Sequence, residues 1–242
     1  MAETGPEAER EWADLATALG EMALDLLAQD SVQATLDCIV AHSVNLVGGC
    51  DFAGIMVVRG DDIQTVAVND DLVGELDRLQ AELQEGPCFD ASRDKERVYR
   101  ITDLTATSAH WPRFAPRAHD LGVGSMMGFL LYTRGDRDLG ALDMYSSRPG
   151  AFTSRSEQVG LLLASHAAVA LSSARHDANL DIALATRQAI GQATGIVMER
   201  GKLSERDAFA KIVELSQARN IKVRDLADSI NRTGEFPGRR PR

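Results

Sequence analysis

Apolar residues first repeat at steps of three, four and seven through Trp12, Leu15, Leu19, Met22, Leu26 and Leu27, which places them on one helical stripe. Such a stripe is either core or a surface for pairing with a second chain. Asp30 and Ser31 break it, and a helix predicted over 32–46 turns Leu36, Ile39, Val40, Ser43 and Val47 inward. After Gly48 and Gly49 the period changes to two. Residues 52–58 and 63–69 then predict paired strands around Arg59, Gly60, Asp61 and Asp62. Helical spacing returns over 70–83 through Leu72, Leu76, Leu79 and Leu83, and Glu85-Gly86-Pro87-Cys88 interrupts it. A short strand is expected at 98–101 and a loop or short helix at 111–121. A second hairpin is expected from 125–132 and 139–145 around Arg134, Gly135 and Asp136. Ser154 and Glu157 predict the cap of a long helix through Val159, Leu162, Leu163, His166, Val169, Ala170 and Ala174. Residues 1–9 carry no periodic apolar positions and are expected to be disordered. Strands with helices at the ends and on one face define an α+β domain.

Beyond residue 179 the pattern is helical throughout. Leu180, Leu184, Ile190, Ala193 and Val197 predict one helix over 180–200, which Gly201 stops. Ser204 with Asp207 three positions on marks the next helix start. Its inward residues are expected to be Ala208, Phe209, Ile212, Leu215 and Ser216, and it ends near Asn220. A third helix over 223–230 turns Leu226, Ala227 and Ile230 inward. Between Ser154 and Arg200 there is no proline, so one long helix, or two nearly in line around Arg175 and His176, connects the halves.

Composition narrows the function classes. No apolar run approaches eighteen residues and the first residues are acidic, so neither a membrane span nor an export signal is expected. Cys38, Cys50 and Cys88 are odd in number and lack C-x-x-C spacing, which points to a reducing cytoplasm and no zinc site. Charge is uneven. From Leu180 onward there are twelve Lys and Arg against eight Asp and Glu, whereas the preceding residues hold fourteen against twenty-eight. A basic helical segment on an acidic carrier favours contact with phosphates while the rest resists nonspecific adhesion.

The run A-I-G-Q-A-T-G-I-V-M-E-R-G-K-L-S-E-R-D-A-F, residues 189–209, resembles the signature of the ANTAR domain, a three-helix RNA-binding output module of bacterial antiterminators. Ala193, Gly195, Ile196, Met198, Arg200, Gly201, Ser204, Ala208 and Phe209 fall in register with it. The resemblance implies recognition of paired RNA hairpins that compete with a terminator. The family often carries Lys where this chain has Thr194 and Arg where it has Val213, which implies two fewer phosphate contacts. Arg187, Gln188, Gln192, Arg200, Lys202, Arg206 and Lys211 are the candidate RNA-contacting side chains. Gln amides suit unpaired base edges, and Arg suits a base face or a phosphate. Ala193 and Gly195 complete the candidate surface because their small size admits either a loop base or another helix.

The order helix, two strands, helix, breaker, strand, two strands, long helix is similar to that of GAF domains, with Glu85-Gly86-Pro87-Cys88 and Gly150-Ala151-Phe152-Thr153 as local cues. The whole chain resembles the GAF-plus-ANTAR regulators of actinobacteria. A GAF domain implies signal input, often a small molecule between the sheet and the irregular stretch at 86–124. Cys88, Trp111, Asp143 and Tyr145 are the pocket candidates, Cys88 also as a sensing thiol and the others as an aromatic wall with one polar group. Ordinary core packing is the alternative for each. His110, His119 and Asp120 fit no common metal spacing, and no G-x-x-x-x-G-K-S/T, G-x-S-x-G or H-E-x-x-H occurs. No metal, cofactor or catalytic residue is therefore expected.

The expected organisation is a disordered tip and dimerisation helix over 1–29, a GAF-like sensor over 30–175 with an antiparallel sheet flanked by helices, an all-α ANTAR domain over 176–235 and a basic tail over 236–242. The expected function is a cytoplasmic, homodimeric, non-enzymatic regulator of transcription antitermination that binds RNA and admits a small-molecule signal. Rival readings are a GAF-fold enzyme such as a free methionine sulfoxide reductase, and a protein-interaction adaptor.

Overall fold

In chain order the helices are α1 (Pro6–Leu27), α2 (Val32–Leu46), α3 (Asp71–Leu83), α4 (Phe114–Asp120), α5 (Ser154–Gly201), α6 (Glu205–Arg219) and α7 (Val223–Thr233). The strands are β1 (Phe52–Arg59), β2 (Asp62–Val68), β3 (Val98–Ile101), β4 (Ser125–Leu131) and β5 (Gly140–Ser146). The computed structural model describes residues 6–59, 62–87, 90, 98–107, 109–133 and 140–236. The turn residues Gly60, Asp61, Arg134, Gly135 and Asp136, together with Cys88 and the basic tail from 237, lie outside the described residues. The chain divides into two compact units, Met1–Arg175 and His176–Arg242.

Strands β4 and β5 are buried at nearly every position, as strands covered on both faces are. They lie inside a five-stranded antiparallel sheet of order β2-β1-β5-β4-β3. Period two sorts their side chains. Ala53, Ile55, Met127, Phe129, Leu142 and Met144 join Leu19, Met22 and Leu26 of α1, Leu36 and Ile39 of α2, and Val159, Leu163 and Ala167 of α5 in one core. Met56, Met126 and Tyr145 turn the other way and pack with Val73 and Leu76 of α3 and Phe114, Ala115 and Ala118 of α4. The register shifts between Ile55 and Met56, where β1 meets β2.

Several sequence expectations are corrected. Helix α1 begins at Pro6, inside the stretch expected to be disordered, because proline is preset for a first helical turn. Its stripe is mostly covered within the chain: Leu19, Met22 and Leu26 are buried, so these residues form core and no pairing surface. Trp12 and Leu27 fall off the stripe and are exposed, with the Arg155 guanidinium 5.6 Å from the Trp12 ring centroid. Helix α3 is rotated from the expected phase. Val73, Leu76, Asp77 and Gln80 are buried, while Leu72, Leu79 and Leu83 are half-buried. At the start of α5 the cap is Thr153, one residue before Ser154: its Oγ1 accepts from the Ser156 N–H at 3.2 Å, and its own N–H donates to Ser156 Oγ at 3.1 Å. Of the two alternatives for 154–200, one long helix is found, but Leu162, His166 and Val169 on it are exposed instead of inward.

Helix α5 approaches the sheet closely at Gly160, where an added Cβ would meet the Phe129 ring at 2.5 Å. Alanine improves helix propensity by about 1 kcal/mol, but overpacking a filled core costs about 1–3 kcal/mol. Gly160→Ala should therefore lower stability, read as a lower urea midpoint; an unchanged or higher midpoint would contradict this packing.

Candidate functional site

The C-terminal unit closes on small side chains. Ala193 and Val197 of α5, Ala208 and Ile212 of α6, and Leu226, Ala227 and Ile230 of α7 are buried together. Ser204 starts α6 by accepting from the Asp207 N–H at 3.2 Å and donating to Asp207 Oδ2 at 2.7 Å. Asn220 ends it in the left-handed region at φ 52°, and the buried Ser216 hydroxyl donates to the Ile221 carbonyl at 2.5 Å.

Of the candidate RNA residues, Arg187, Gln188, Gln192, Gly195, Arg200, Lys202, Arg206 and Lys211 are exposed. Ala193 is the exception. It is fully buried among the three helices, so its small size serves packing and it presents no surface to RNA. Thr194 is also buried, its Oγ1 donating to the Ile190 carbonyl at 2.8 Å, and Val213 is half-buried. Neither departure from the family pattern therefore leaves a gap on an open surface. Leu180, Leu184 and Phe209, expected inward, are exposed by 49%, 65% and 44%.

Gln192, Gly195, Ile196, Glu199 and Arg200 line an open groove of about 610 Å³ with Asn231 and Gly234. Asn231 ties α7 to α5 by donating from Nδ2 to the Ala189 carbonyl at 2.9 Å, while its buried Oδ1 has no hydrogen-bond partner among the described residues. Lys202, itself left-handed at φ 51°, donates to Glu199 Oε1 and holds that carboxyl below the usual range. Sequence reasoning missed Glu199 and Asn231. Glu199 stands seven residues after Gln192 and four after Gly195, a spacing that places it on their helix face. Arg206 and Lys211 do not line the groove.

In the first unit, Asp143, Tyr145 and Trp111 are all buried on the α3 and α4 side of the sheet. Asp143 sits between Gly54 of β1 and Gly128 of β4. The Tyr99 ring covers Gly128, and its hydroxyl donates to Asp143 Oδ1 at 2.5 Å. Tyr145 OH lies 3.3 Å from Asp77 Oδ1, and the Thr65 hydroxyl donates to Asp77 Oδ2 at 2.7 Å. Trp111 Nε1 donates to Asp90 Oδ2 at 2.8 Å, and its ring meets Phe114 edge to face at 6.5 Å. Glu85 holds this region to α3: its carboxylate accepts from Arg113 Nε at 2.7 Å and from the Arg113 and Phe114 N–H groups at 2.9 and 3.1 Å. Asp77, Gln80 and Tyr99 escaped the sequence reading. The signal for the first two was a polar pair at inward helical spacing beside Val73 and Leu76. Cys50 is buried, which pushes its thiol up to about 12, and burial also raises Cys38. Among the described residues no group of three or more His, Cys, Asp and Glu is placed to hold a metal; His110 Nε2 lies 3.2 Å from Asp90 Oδ2.

A two-sided antiparallel sheet with helices on both faces, followed by a three-helix unit with an open polar surface, defines a two-module chain. The GAF domain profile matches residues 29–172, more than half of the chain, and the ANTAR domain profile matches residues 178–230. The chain belongs to the GAF domain family, with an ANTAR domain following. No curated protein matches the sequence. Among solved structures it is similar to the GAF domain of a phosphoenolpyruvate-protein phosphotransferase from Coxiella burnetii, with 15% identity, TM-score 0.53 and 68% and 96% of the two chains covered. The equivalent Acinetobacter domain gives 16%, 0.50, 68% and 97%. The photosensory core module of a Stigmatella aurantiaca phytochrome gives 12%, 0.59, 89% and 46%. These likenesses establish the fold.

Burial pushes Asp77 up to about 6, against the hydroxyl bonds from Thr65 and Tyr145 that favour its charged form. The folded chain thus holds this proton more tightly than the unfolded chain. Its contribution is complete below pH about 4, is lost as the pH rises to about 6, and is level above. Asp77→Asn should be more stable than the parent at pH 7, by up to about 3 kcal/mol, with the gap closing near pH 4. Urea unfolding of both proteins across that range checks this, and a gap independent of pH would refute it.

Proposed function

We propose that the chain is a cytoplasmic regulator in which the GAF domain receives a signal and governs an ANTAR domain that binds paired hairpins in nascent mRNA, promoting transcription antitermination. The ANTAR match over residues 178–230 carries the reading. It is supported by the excess of Lys and Arg after Leu180 and by the exposure of Arg187, Gln188, Gln192, Arg200, Lys202, Arg206 and Lys211. No helix among the described residues is long and apolar enough to cross a membrane. Trp111, Asp143 and Tyr145, extended by Tyr99 and Asp77, are the side chains through which a small molecule would act on the GAF domain. The reading assigns no catalysis to the chain, and the raised thiols of Cys38 and Cys50 favour that over a redox enzyme, whose cysteines need accessible thiolates.

The proposal includes a homodimer. In the first unit α5 exposes Leu161, Leu162 and Val169, and α1 exposes Leu24 and Leu27; in the second, α5 exposes Leu180, Ile182 and Leu184. Two copies pairing along such surfaces would cover apolar area that a monomer leaves wet, and a signal would act by shifting that pairing.

Two measurements check this. Replacing Arg187, Arg206 and Lys211 together by Ala in the full chain should weaken retention of structured RNA and flatten its dependence on log salt by about 0.7–0.9 for each phosphate no longer neutralised. RNA retention that is absent, or insensitive to salt and to these changes, would sink the RNA reading. In sedimentation, the parent should run as a dimer at micromolar concentration and Val169→Glu as a monomer. A monomeric parent, with or without RNA, would end the dimer proposal.

A further inference from the structure

We propose that the slot in the sheet beside Asp143 receives a small flat organic cation and is held shut by Tyr99, which the cation displaces. This rests on the reading of the GAF domain as a signal receiver, and gives that receiver a ligand class and a latch.

One row across the sheet makes the slot. Gly54 of β1, Asp143 of β5, Gly128 of β4 and Tyr99 of β3 are paired in succession, so their side-chain positions stand side by side. Glycine on both sides of Asp143 leaves bare backbone on each. On the Gly54 side the space belongs to Val73 of α3, whose Cγ1 an added Cβ would meet at 2.6 Å. On the Gly128 side the Tyr99 ring leans over the glycine, and its hydroxyl donates to Asp143 Oδ1 at 2.5 Å. A six-membered ring with one donor thus already lies in the slot, and it is the chain's own.

The two fillers are held differently. Val73 is fully buried. Tyr99 is half-buried on a four-residue strand at the sheet edge, with β4 as its one strand neighbour among the described residues. Turning its ring out past that edge is a change of side-chain rotamer and breaks no backbone bond between β3 and β4. It uncovers the Gly128 backbone and the Asp143 side chain, which is 1% exposed with the ring in place. Covering Gly128 needs only an aromatic ring, which phenylalanine would supply as well. A carboxylate beneath that ring adds nothing to packing and is costly to bury, so the pair answers to a demand other than folding.

The charge of the ligand follows from the acceptor. Ionised, Asp143 accepts only, and the groups that close the slot, Gly54, Val73, Gly128 and Tyr99, are uncharged. A neutral donor from solution would repeat the Tyr99 bond and lose to a hydroxyl already tethered in place. A cation replaces it with a charge-assisted bond, about twice as strong. Approach is favoured too, since the residues before Leu180 carry twenty-eight Asp and Glu against fourteen Lys and Arg. The ligand therefore has the thickness of one aromatic ring and N–H groups of an amidinium or protonated amine at its edge. Arg100, next to Tyr99 on β3, lies 3.5 Å from Glu157 in the first turn of α5, which gives the strand a contact with the helix that runs on to Gly201.

The test uses the full chain, with benzamidine as the cation and benzamide as its neutral counterpart of the same shape, titrated by calorimetry. The parent should bind benzamidine weakly and benzamide more weakly still. Tyr99→Ala, which empties the slot, should bind benzamidine about tenfold tighter, because affinity is no longer reduced by the closed fraction. Tyr99→Phe keeps the ring packed and removes only the hydroxyl, and should fall between. Adding Asp143→Asn to either variant should erase the preference for benzamidine over benzamide. Binding no tighter in the folded Tyr99 variants than in the parent, equal binding of the two compounds by those variants, or a preference that survives Asp143→Asn would overturn the slot and leave RNA binding standing. The expected pattern with RNA retention unchanged by benzamidine would uphold the slot and count against control of the ANTAR domain by the GAF domain.

Discussion

Burial of the central strands on both faces is the constraint from which the GAF domain follows. Strands β1, β5 and β4 send Ala53, Ile55, Leu142, Met144, Met127 and Phe129 to one side and Met56, Tyr145 and Met126 to the other. A sheet of this kind is stable only with a helix layer on each face. Helices α1, α2 and α5 cover the first and α3 and α4 the second. The same constraint fixes the polar chemistry. Any hydrophilic side chain facing either layer must find a partner inside, and Asp77, Thr65 and Tyr145 on one hand and Asp143 and Tyr99 on the other do so. Glycine at 128 makes the second pair possible, since a Cβ there would collide with the Tyr99 ring.

What was legible in the sequence is what a local pattern alone determines. SMMGFLLY and LGALDMY read as paired strands, although helices were expected at the ends and on one face of the sheet and are found on both, and Ser204 with Asp207 marked the start of α6 at the residue where the cap forms. The ANTAR resemblance rested on such a run and the GAF resemblance on the order of elements with two short cues, and both family profiles match. What was not legible depends on rotation about a helix axis, which neighbours decide. Leucines at 72, 76, 79 and 83 suggested one phase for α3, yet Val73, Asp77 and Gln80 are buried with Leu76, and the sheet accepts Asp77 through Thr65 and Tyr145. On α5 the leucines at 180 and 184 continued an apolar period without a partner to receive it. Likewise no pattern in the chain announces Tyr99 as the partner of Asp143, forty-four residues away.

The C-terminal unit shows why residue size was ambiguous. Ala193 and Gly195 were equal candidates for contact with RNA or with a helix, being two residues apart and both small. Two helical positions apart is about 200° around the axis, so the two face nearly opposite directions. Ala193 enters the core with Ala208 and Ala227, where small side chains let three helices approach closely enough to exclude water. Gly195 faces open space, where the same smallness excludes nothing.

Stability and surface chemistry pull apart along this stretch. Gly191 and Gly195 lie inside the continuous α5 without any contact that an added Cβ would disturb, and Lys202 adopts a left-handed backbone that glycine would adopt more easily. Nearby positions governed by folding alone obey the ordinary rules: Ser204 caps, Asn220 takes the left-handed end of α6, and Gly234 closes α7 at φ 64°. A chain selected only for a firm three-helix core would hold alanine at 191 and 195 and glycine at 202. Local rules are kept where the unit needs them and broken around Gln192, Glu199 and Arg200, and departures of that kind gather where a surface has work other than packing.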